Sequence, residues 1–271
     1  MSERVKVSMR NGVADVKLCR AEKLNALDHA MFEALRSTGR ELARDRSLRC
    51  AVLSGEGRAF SAGLDFTGFT AMAGQEAPGG EARRDPLERD PESPANFAQG
   101  AAYVWTELPV PVIAAIHGVA YGGGLQLALG ADIRLVTPDA RLSVREIHWG
   151  LIPDMSGTQT LRHLVRQDVA RELTYTGRIV SGAEAVELGL ATRVSETPYQ
   201  AALELAREIA ARSPDAVRAA KRLLTAAPLV SLEEGLLLEE RLQRSLIGRR
   251  NQIEAVRANL EKRDPVFTDP D

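Results

Sequence analysis

Two corners of small residues have a composition and spacing that could stabilise negative charge. One is the glycine triplet at 122–124, which follows an apolar run, Val112–Ile116, and precedes a short apolar stretch typical of a buried helix. Glycines at a helix start leave backbone N–H groups uncovered, and the helix dipole adds positive potential there. Such a corner suits an anion, or an oxygen that becomes anionic during a reaction. The glycines could instead serve only to let a helix pack closely on a strand.

The other corner, at positions 59–65, favours the functional interpretation. It follows another apolar run, residues 50–53, and it again predicts a strand, a turn of small residues and a helix start. Two such corners could direct two backbone N–H donors at one oxygen atom.

Three motifs in the chain resemble those of the crotonase family, that is, enoyl-CoA hydratases and isomerases. They are Ser-Ala-Gly-Leu-Asp at 61–65, His-Gly-Val-Ala-Tyr-Gly-Gly-Gly-Leu-Gln-Leu-Ala at 117–128, and Gly-Leu-Ile-Pro-Asp-Met-Ser-Gly-Thr-Gln at 150–159. The similarity runs from about Val5 to Phe267. It implies an α/β (α+β) fold of the crotonase type, a spiral of stacked ββα units, and an acyl-CoA substrate. It specifies the reaction much less closely.

The resemblance assigns an oxyanion hole to the backbone N–H groups of Leu64 and Gly123. The chemistry agrees, because a thioester oxygen gains negative charge when the adjacent carbon loses a proton. Fixed N–H donors stabilise that enolate. The apolar side chain of Leu64 is no objection, since only its backbone is needed.

The acid–base groups are implied by the same resemblance. Hydratases of the family use two glutamates; the chain keeps the second as Glu146 and has Gln126 in place of the first. A glutamine does not exchange protons at neutral pH, although it can orient water or a carbonyl group. Asp154 stands where dienoyl-CoA isomerases and 3-hydroxyacyl-CoA hydrolases carry an acid. Asp154 could instead cap a helix, but a predicted capping box at 156–159 already fills that place.

Glu146 has an alternative interpretation as a surface glutamate paired with Arg141 or Arg145. We favour catalysis, because Glu146 stands at the motif position next to Ile147 and Trp149. Burial beside apolar residues would raise its pKa towards the range of a general base.

The resemblance also implies contacts to coenzyme A from an early loop, from the corner at 59–65 and from the end of the chain. The residues are Lys23, Leu24, Ala62, Leu64, Asp65, Phe66 and Lys262. Lys23 could equally be a solvated surface lysine, and the aromatic residue expected three positions before Lys262 is Asn259. Residues 69–99, rich in glycine, proline and charge, predict a loop that is either a lid over the acyl pocket or a passive insertion.

The chain is expected to have two regions. Residues 1–195 would form the spiral core with the acyl-CoA site, and residues 196–271 a helical region for oligomerisation and part of the CoA site. A leucine-rich helix at 232–247 needs cover from the core or from another subunit. Family analogues assemble as trimers or paired trimers, so we expect a homotrimer or homohexamer.

Composition excludes several other classes of protein. The 271 residues are 27% charged and 44% hydrophobic, with a net charge of −2, so no strong field favours nucleic acid or an anionic membrane. The polar N-terminus resembles no signal peptide and no apolar run is long enough for a membrane span, which predicts a cytoplasmic protein. Cys19 and Cys50 are expected as buried reduced thiols, and the four histidines have no metal-ligand spacing. We expect no metal and no cofactor, coenzyme A being part of the substrate.

These observations predict an enoyl-CoA hydratase/isomerase-type enzyme that acts on a fatty acyl-CoA thioester. Its enolate would be held by the oxyanion hole, with Glu146 as general acid/base. Moving a double bond needs one shuttling base, so isomerisation fits a single glutamate best, and hydration assisted by Asp154 or Gln126 follows closely. The alternatives are a 3-hydroxyacyl-CoA thioester hydrolase and a non-catalytic relative that binds acyl-CoA or RNA.

Overall fold

A computed structural model of the chain describes residues 4–65, 85–91 and 93–270, in which two sheets are surrounded by helices. The strands are β1 (Val5–Arg10), β2 (Val13–Leu18), β3 (Cys50–Gly55), β4 (Val112–Ile116), β5 (Val119–Tyr121), β6 (Ile133–Val136), β7 (Arg141–Ser143), β8 (Val180–Ser181) and β9 (Arg193–Val194). The α-helices are α1 (His29–Arg44), α2 (Phe97–Glu107), α3 (Gly123–Leu129), α4 (Gly157–Leu164), α5 (Gln167–Thr176), α6 (Gly182–Leu188), α7 (Pro198–Ala210), α8 (Pro214–Ala226), α9 (Leu232–Leu246) and α10 (Arg250–Glu261). Positions 69–84 and 92 of the loop predicted at 69–99 lie outside the described residues.

The first four strands belong to the larger sheet, and from β5 onwards the chain passes back and forth between two sheets. The larger sheet has the order β1-β2-β3-β4-β6-β9, and the smaller sheet has the order β5-β7-β8. β1 pairs antiparallel with β2, whereas β2, β3, β4, β6 and β9 run parallel. β4 and β5 precede α3, and β6 and β7 precede α4. The α/β fold of stacked ββα units predicted from the sequence is therefore confirmed.

β4 is buried along its whole length because helices cover both faces of the larger sheet. Ala114 and Ile116 belong to the main core, which includes residues of α1, α2 and α3. Ile113 and Ala115 belong to a second core, which α7 closes with Ala202 and its neighbours. The continuous apolar run before the glycine triplet follows from this arrangement, since a strand alternates with polar residues only when one face meets water.

Local sequence signals fix the ends of the elements that precede the site. β1 and β2 join through Asn11 and Gly12, whose φ angles of 50° and 76° are those that a tight hairpin turn requires. Asp28 caps α1, because its carboxylate accepts the N–H of Met31 at 2.8 Å. Ser231 begins α9 through a capping box.

The C-terminal helices are joined to the core by a buried lysine. Lys221 of α8 donates to the Asp132 carboxylate at 2.8 Å and to the carbonyls of Trp105 and Val110 at 3.2 and 2.9 Å. α9 buries Leu238, leaves Leu242 and Leu246 partly buried, and exposes Leu232, Leu236 and Leu237 in this single chain. The boundary between two regions at residue 195 stays a prediction.

Both cysteines are free thiols, with Cys50 buried in β3 and Cys19 partly buried. Burial raises the pKa of Cys19 to about 11 and that of Cys50 to about 12, so both are protonated at neutral pH. Among the described helices, none combines the length and the apolar character that a membrane span requires.

Candidate active site

The first corner, residues 61–65, is held on both sides by backbone hydrogen bonds. Ser61 exchanges bonds with the strand β5, donating to Val119 at 3.0 Å and accepting from Tyr121 at 3.1 Å. On the other side, Leu27 donates to the Gly63 carbonyl at 2.7 Å and accepts from Asp65 at 3.0 Å. The corner is therefore an extended segment between β5 and the residues before α1, and any helix after it lies outside the described residues.

The second corner, residues 122–124, contacts the first one directly, and glycines make the contact possible. A Cβ on Gly63, whose φ is 86°, would lie 2.4 Å from the Tyr121 carbonyl oxygen. A Cβ on Gly124 would lie 2.5 Å from the Ser61 carbonyl oxygen. Gly122 has a φ of 50° and donates to Ser143 at 2.9 Å, which turns the chain from β5 into α3. Larger residues would separate the two corners.

The N–H groups of Leu64 and Gly123 have no hydrogen-bond acceptor among the described residues. Gly123 is the first residue of α3, where an N–H has no intrahelical partner. Gly63 brings the corners together here, since its hypothetical Cβ is 3.5 Å from the Gly123 nitrogen. Two backbone donors from different elements are thus available at neighbouring positions, and their role as an oxyanion hole stays a prediction.

Glu146 lies beside the second corner in a short 3-10 helix, Glu146–Trp149, that follows β7. It is 8% exposed, and its Oε1 lies 3.2 Å from an ideal Cβ on Gly122. Burial is the main cause that raises the pKa of this carboxyl, and the nearby charge of Asp154 adds to it. Its Oε2 is buried and has no hydrogen-bond partner among the described residues. A buried carboxyl with one unused oxygen is suited to accept and return a proton.

Glu146 is buried, as the sequence predicts, but the residues expected to bury it are not the ones that do. Ile147 and Trp149 are 43% and 49% exposed, so they do not enclose the carboxyl. Gly122 and Gln126 approach it instead. In the described part of the chain no ion pair joins Glu146 to an arginine, and the Arg145 guanidinium lies 5.0 Å from the centre of the Tyr121 ring.

Gln126 is the side chain that connects Glu146 to the turn after it. Its Nε2 donates to Glu146 Oε1 at 2.5 Å, which lowers the pKa of that carboxyl and so opposes the effect of burial. Its Oε1 accepts the N–H groups of Met155 and Gly157 at 2.8 and 2.9 Å. The side chain is 2% exposed. Gln126 therefore orients Glu146 and fastens the chain around 155–157.

Asp154 stands at the start of that turn, near enough for its charge to raise the pKa of Glu146. Desolvation by the surrounding protein raises its pKa, although the residue is exposed in this chain and water screens part of the effect. Both carboxyls have raised pKa values, and Gln126 bonds to Glu146 and to the N–H groups of Met155 and Gly157 just after Asp154.

The capping box predicted at Ser156 and Gln159 is wrong. Ser156 has a left-handed backbone, with φ 64°, and its side chain makes no cap bond to α4. Gln159 Nε2 donates to Thr158 instead. The N–H of Gly157, which a capping side chain would leave to solvent, goes to Gln126. Ser156 therefore gives no reason to assign Asp154 to catalysis, and what favours that role is the effect of the Asp154 charge on the pKa of Glu146.

The predicted CoA contacts fall into three places. Leu24 and Ala62 are joined, because Ala62 donates to the Leu24 carbonyl at 2.9 Å, and Lys23 is exposed next to them. Lys262 is exposed at the C-terminal end of α10, where its backbone N–H donates to the Asn259 carbonyl at 3.3 Å and its side chain has no hydrogen bond or ion pair among the described residues. Phe66 lies outside the described residues.

Asp65 is engaged by a residue that the sequence analysis missed. Its carboxylate accepts from Arg20 Nη1 at 2.5 Å, and the side chains are 12% and 8% exposed for Arg20 and Asp65. Arg20 also donates to the Ala26 carbonyl at 3.1 Å. The pair fixes the end of the first corner. Asp65 gives a partial signal, because it is the charged residue of an otherwise small and apolar motif, but Arg20 lies among other charged residues and nothing local links the two. No group of three or more His, Cys, Asp or Glu that could hold a metal occurs in the described part of the chain.

Comparisons with known proteins agree with this geometry. A family model described as enoyl-CoA hydratase/isomerase matches residues 8–270. A probable enoyl-CoA hydratase of Bacillus subtilis (strain 168) is 35% identical over 246 residues, which cover 90% of each chain. The mitochondrial Delta(3,5)-Delta(2,4)-dienoyl-CoA isomerase of Mus musculus is 33% identical over 261 residues, which cover 95% of this chain and 79% of the relative. An enoyl-CoA hydratase structure from Bacillus anthracis superposes with a TM-score of 0.85 at 31% identity, covering 97% of this chain and 98% of that one.

Proposed function

Because the chain belongs to the enoyl-CoA hydratase/isomerase family, we propose that it moves the double bond of an enoyl-CoA thioester through an enolate. The observation that carries this proposal is the pairing of two free N–H donors, on Leu64 and Gly123, with the adjacent buried carboxyl of Glu146. The donors suit a thioester oxygen, and the carboxyl suits the carbon next to it. Coenzyme A enters as part of the substrate.

In the proposed reaction Glu146 Oε2 takes a proton from the α-carbon of a β,γ-unsaturated ester. The electron pair of that C–H bond moves to the thioester oxygen, where the two N–H groups stabilise the negative charge. The protonated carboxyl then returns the proton to the γ-carbon, and the double bond ends in the α,β position. One carboxyl performs both transfers, so the non-titrating Gln126 is compatible with the reaction.

Gln126 acts in this proposal through Glu146. With Oε1 held by the amide, only Oε2 is left to meet the substrate, which fixes the direction of proton transfer. The raised pKa brings the carboxyl closer to neutral pH, where a base transfers protons most effectively.

Hydration of an α,β-unsaturated ester is the second candidate. Asp154 favours it, because its carboxyl also has a raised pKa and is coupled to Glu146, so one group could activate water while the other supplies a proton. Both named activities occur among relatives: hydratases and a dienoyl-CoA isomerase match at similar identity.

The test is the initial rate of Glu146→Gln on a panel of α,β-enoyl, β,γ-enoyl, dienoyl and β-hydroxyacyl esters of coenzyme A. Glutamine keeps the shape and the bond to Gln126 but cannot carry the proton, so we expect a loss of about 10²–10⁴-fold on every ester that the wild type converts. Affinity for a saturated acyl-CoA and the thermal melt serve as controls for binding and folding. An active Glu146→Gln enzyme would transfer the acid–base role to Asp154, and tight binding of esters without turnover by the wild type would contradict an enzymatic function.

A homotrimeric or homohexameric assembly and a cytoplasmic location are further parts of the proposal. The exposed leucines at 232, 236 and 237 on α9 support the first, since such an apolar face needs cover. Light scattering that found a stable monomer at micromolar concentration would contradict it.

A further inference from the structure

Asn25 is a fully buried polar residue that joins two loops next to the first corner. Its Nδ2 donates to the carbonyls of Glu56 and Ala59, in the loop after β3, at 2.9 and 2.8 Å. Its Oδ1 accepts the N–H of Arg20, in the loop before α1, at 2.9 Å. Both amide protons and the amide oxygen therefore have partners, which fixes the two loops against each other.

The backbone of Asn25 adopts a conformation that few residues take. Its φ is 54° and that of Leu24 before it is 50°, so two consecutive residues other than glycine lie in the left-handed region. Asparagine tolerates this region better than most residues, whereas a leucine there is strained. Gly55 leaves room for the amide, since a Cβ at that position would lie 2.7 Å from Asn25 Nδ2. The three side-chain bonds of Asn25 thus hold a turn that is unfavourable by itself.

This turn supplies partners for the first corner. The Leu24 carbonyl accepts the N–H of Ala62 at 2.9 Å, and the Asn25 carbonyl accepts the Ser61 hydroxyl at 2.9 Å. The same hydroxyl accepts the N–H of Gly63 at 3.3 Å. A displacement of the turn would therefore displace the corner with it.

The bonds of Leu27, two residues after Asn25, determine where the Leu64 N–H points. Leu27 bonds to the carbonyl of Gly63 and to the N–H of Asp65, which flank Leu64. In an extended segment, a residue directs its own N–H away from the partner to which its two neighbours bond. The first corner lies between Leu27 and β5, which leads into the second corner, so the Leu64 N–H is directed to the side of the second corner.

We propose that Asn25 is a positioning residue, whose amide holds the turn that aims the Leu64 N–H at the thioester oxygen. The proposal rests on the proposed function, because it takes that oxygen to lie between Leu64 and Gly123. Asn25 does not contact the substrate and acts through Ser61 and Leu27. The alignment matters because a misplacement of about 1 Å at a reacting centre can cost about 10²-fold in rate.

The test is Asn25→Gly, which keeps access to the left-handed backbone and removes the amide. Its first readout is the infrared carbonyl stretch of bound octanoyl-CoA labelled with carbon-13 at the thioester carbonyl. Hydrogen bonds from N–H donors polarise the C=O bond and lower this frequency, and a saturated ester has no double bond to move or hydrate. We expect a lowered frequency in the wild type and a return towards the frequency of the free ester in the variant.

The second readout of Asn25→Gly is kinetic. On the enoyl-CoA ester that the wild type converts, kcat should fall by about tenfold, while the affinity for octanoyl-CoA should change by less than about threefold. A residue that serves only the stability of the fold would lower the thermal melt and leave both the carbonyl frequency and kcat of the folded protein unchanged. That result would overturn the proposal.

The matched control is Asn11→Gly in the turn between β1 and β2. Asn11 also has a left-handed backbone, with φ 50°, but its side chain is exposed and has no hydrogen bond among the described residues. The control should keep the wild-type frequency and kcat. If it changes them as much as Asn25→Gly does, the proposal fails.

Ser61→Ala tests the same connection with a smaller change, and it decides the question if Asn25→Gly does not fold. It removes the hydroxyl that links the Asn25 carbonyl to the Gly63 N–H, so the carbonyl frequency should move in the same direction. An unchanged frequency and kcat in folded Ser61→Ala, or a wild-type frequency equal to that of the free ester, would overturn the proposal. The proposed function fails separately, if the wild type lowers the frequency but converts no enoyl-CoA ester, and the frequencies then still decide the role of Asn25.

Discussion

The two halves of the candidate site are held together by different means. The donor half, formed by the corners at 61–65 and 122–124, is fixed by backbone bonds on both sides, by glycine contacts and by the buried pair of Arg20 and Asp65. The acid–base half consists of Glu146 and the turn around Asp154, and among the described residues Gln126 is the neutral side chain that bonds to both. Several redundant bonds hold the first half, whereas one amide organises the second.

This difference suits the chemistry of each half. A backbone N–H does not titrate, so the oxyanion donors need only be rigid, and redundancy supplies rigidity. A general base must have a pKa close to the working pH, and that pKa here results from opposing causes: burial and Asp154 raise it, and Gln126 lowers it. The donor half should therefore respond to substitution by loss of rate, and the acid–base half by a change of pH dependence.

The largest expected effect comes from removing a donor with Gly123→Pro. Proline is tolerated at the first position of a helix, so α3 can persist, but the N–H that would bind the enolate is lost. We expect kcat/KM to fall by about 10²–10³-fold at every pH. The measurement is the initial rate across pH, with the thermal melt as a check of folding.

Gly123→Ala is the matched control for this substitution. Its Cβ would meet Met155 Sδ at 2.7 Å, as the proline ring would, but the N–H is kept. Because the sulfur is at the flexible end of its side chain, we expect a much smaller loss than for proline. If the two variants lose the same activity, steric conflict explains the effect and Gly123 is not an oxyanion donor.

The donor half could be predicted from sequence because its signals are local. The glycines at 63 and 122–124 and the apolar run of β4 report backbone conformation and burial directly, so the fold class and the two corners were predictable. Partners distant in the chain were not predictable. The pairing of Arg20 with Asp65 spans 45 residues, and no periodicity indicates it.

The acid–base half shows more clearly why a local signal can mislead. Residues 156–159 have the sequence of a capping box, yet Ser156 has a left-handed backbone and makes no cap bond, in a turn that Gln126, 31 residues before Gly157, holds through the Gly157 N–H. Likewise the burial of Glu146 follows from Gly122 and Gln126 and not from its neighbours Ile147 and Trp149. A tertiary contact decided both cases, which sequence pattern alone does not contain.

Gln126→Glu would convert the side chain that joins Glu146 to the turn at 155–157 into a third carboxyl. Its anchoring oxygen could still accept the N–H groups of Met155 and Gly157, but the other would lie 2.5 Å from Glu146 Oε1, where two ionised carboxylates repel each other. The two adjacent carboxyls would share one proton. Glu146 would therefore become fully ionised, and able to act as a base, only at higher pH. We expect the acidic limb of the kcat/KM profile to move to higher pH, and hydration to rise relative to isomerisation.

The control for this prediction is Gln243→Glu on the exposed surface of α9, which adds the same charge far along the chain. It should leave the pH profile in place. An unchanged acidic limb in Gln126→Glu would show that Gln126 does not act through Glu146, and the proposed connection would fail even if the variant were less active.

The smallest effect is expected from Asp154→Asn, and its sign is opposite. The charge of Asp154 raises the pKa of Glu146, so removing it should lower that pKa and move the acidic limb of kcat/KM to lower pH. If Glu146 alone shuttles the proton, the plateau rate for isomerisation should change by no more than about threefold, because Asp154 takes no proton in that reaction. Asp139→Asn, an exposed change of the same charge in the turn after β6, is the matched control and should leave the limb unmoved. A fall of about 10²-fold or more in the plateau, with the limb displaced, would instead show that two acids cooperate, and the proposed isomerisation by one shuttling base would give way to hydration or to a two-carboxyl isomerisation.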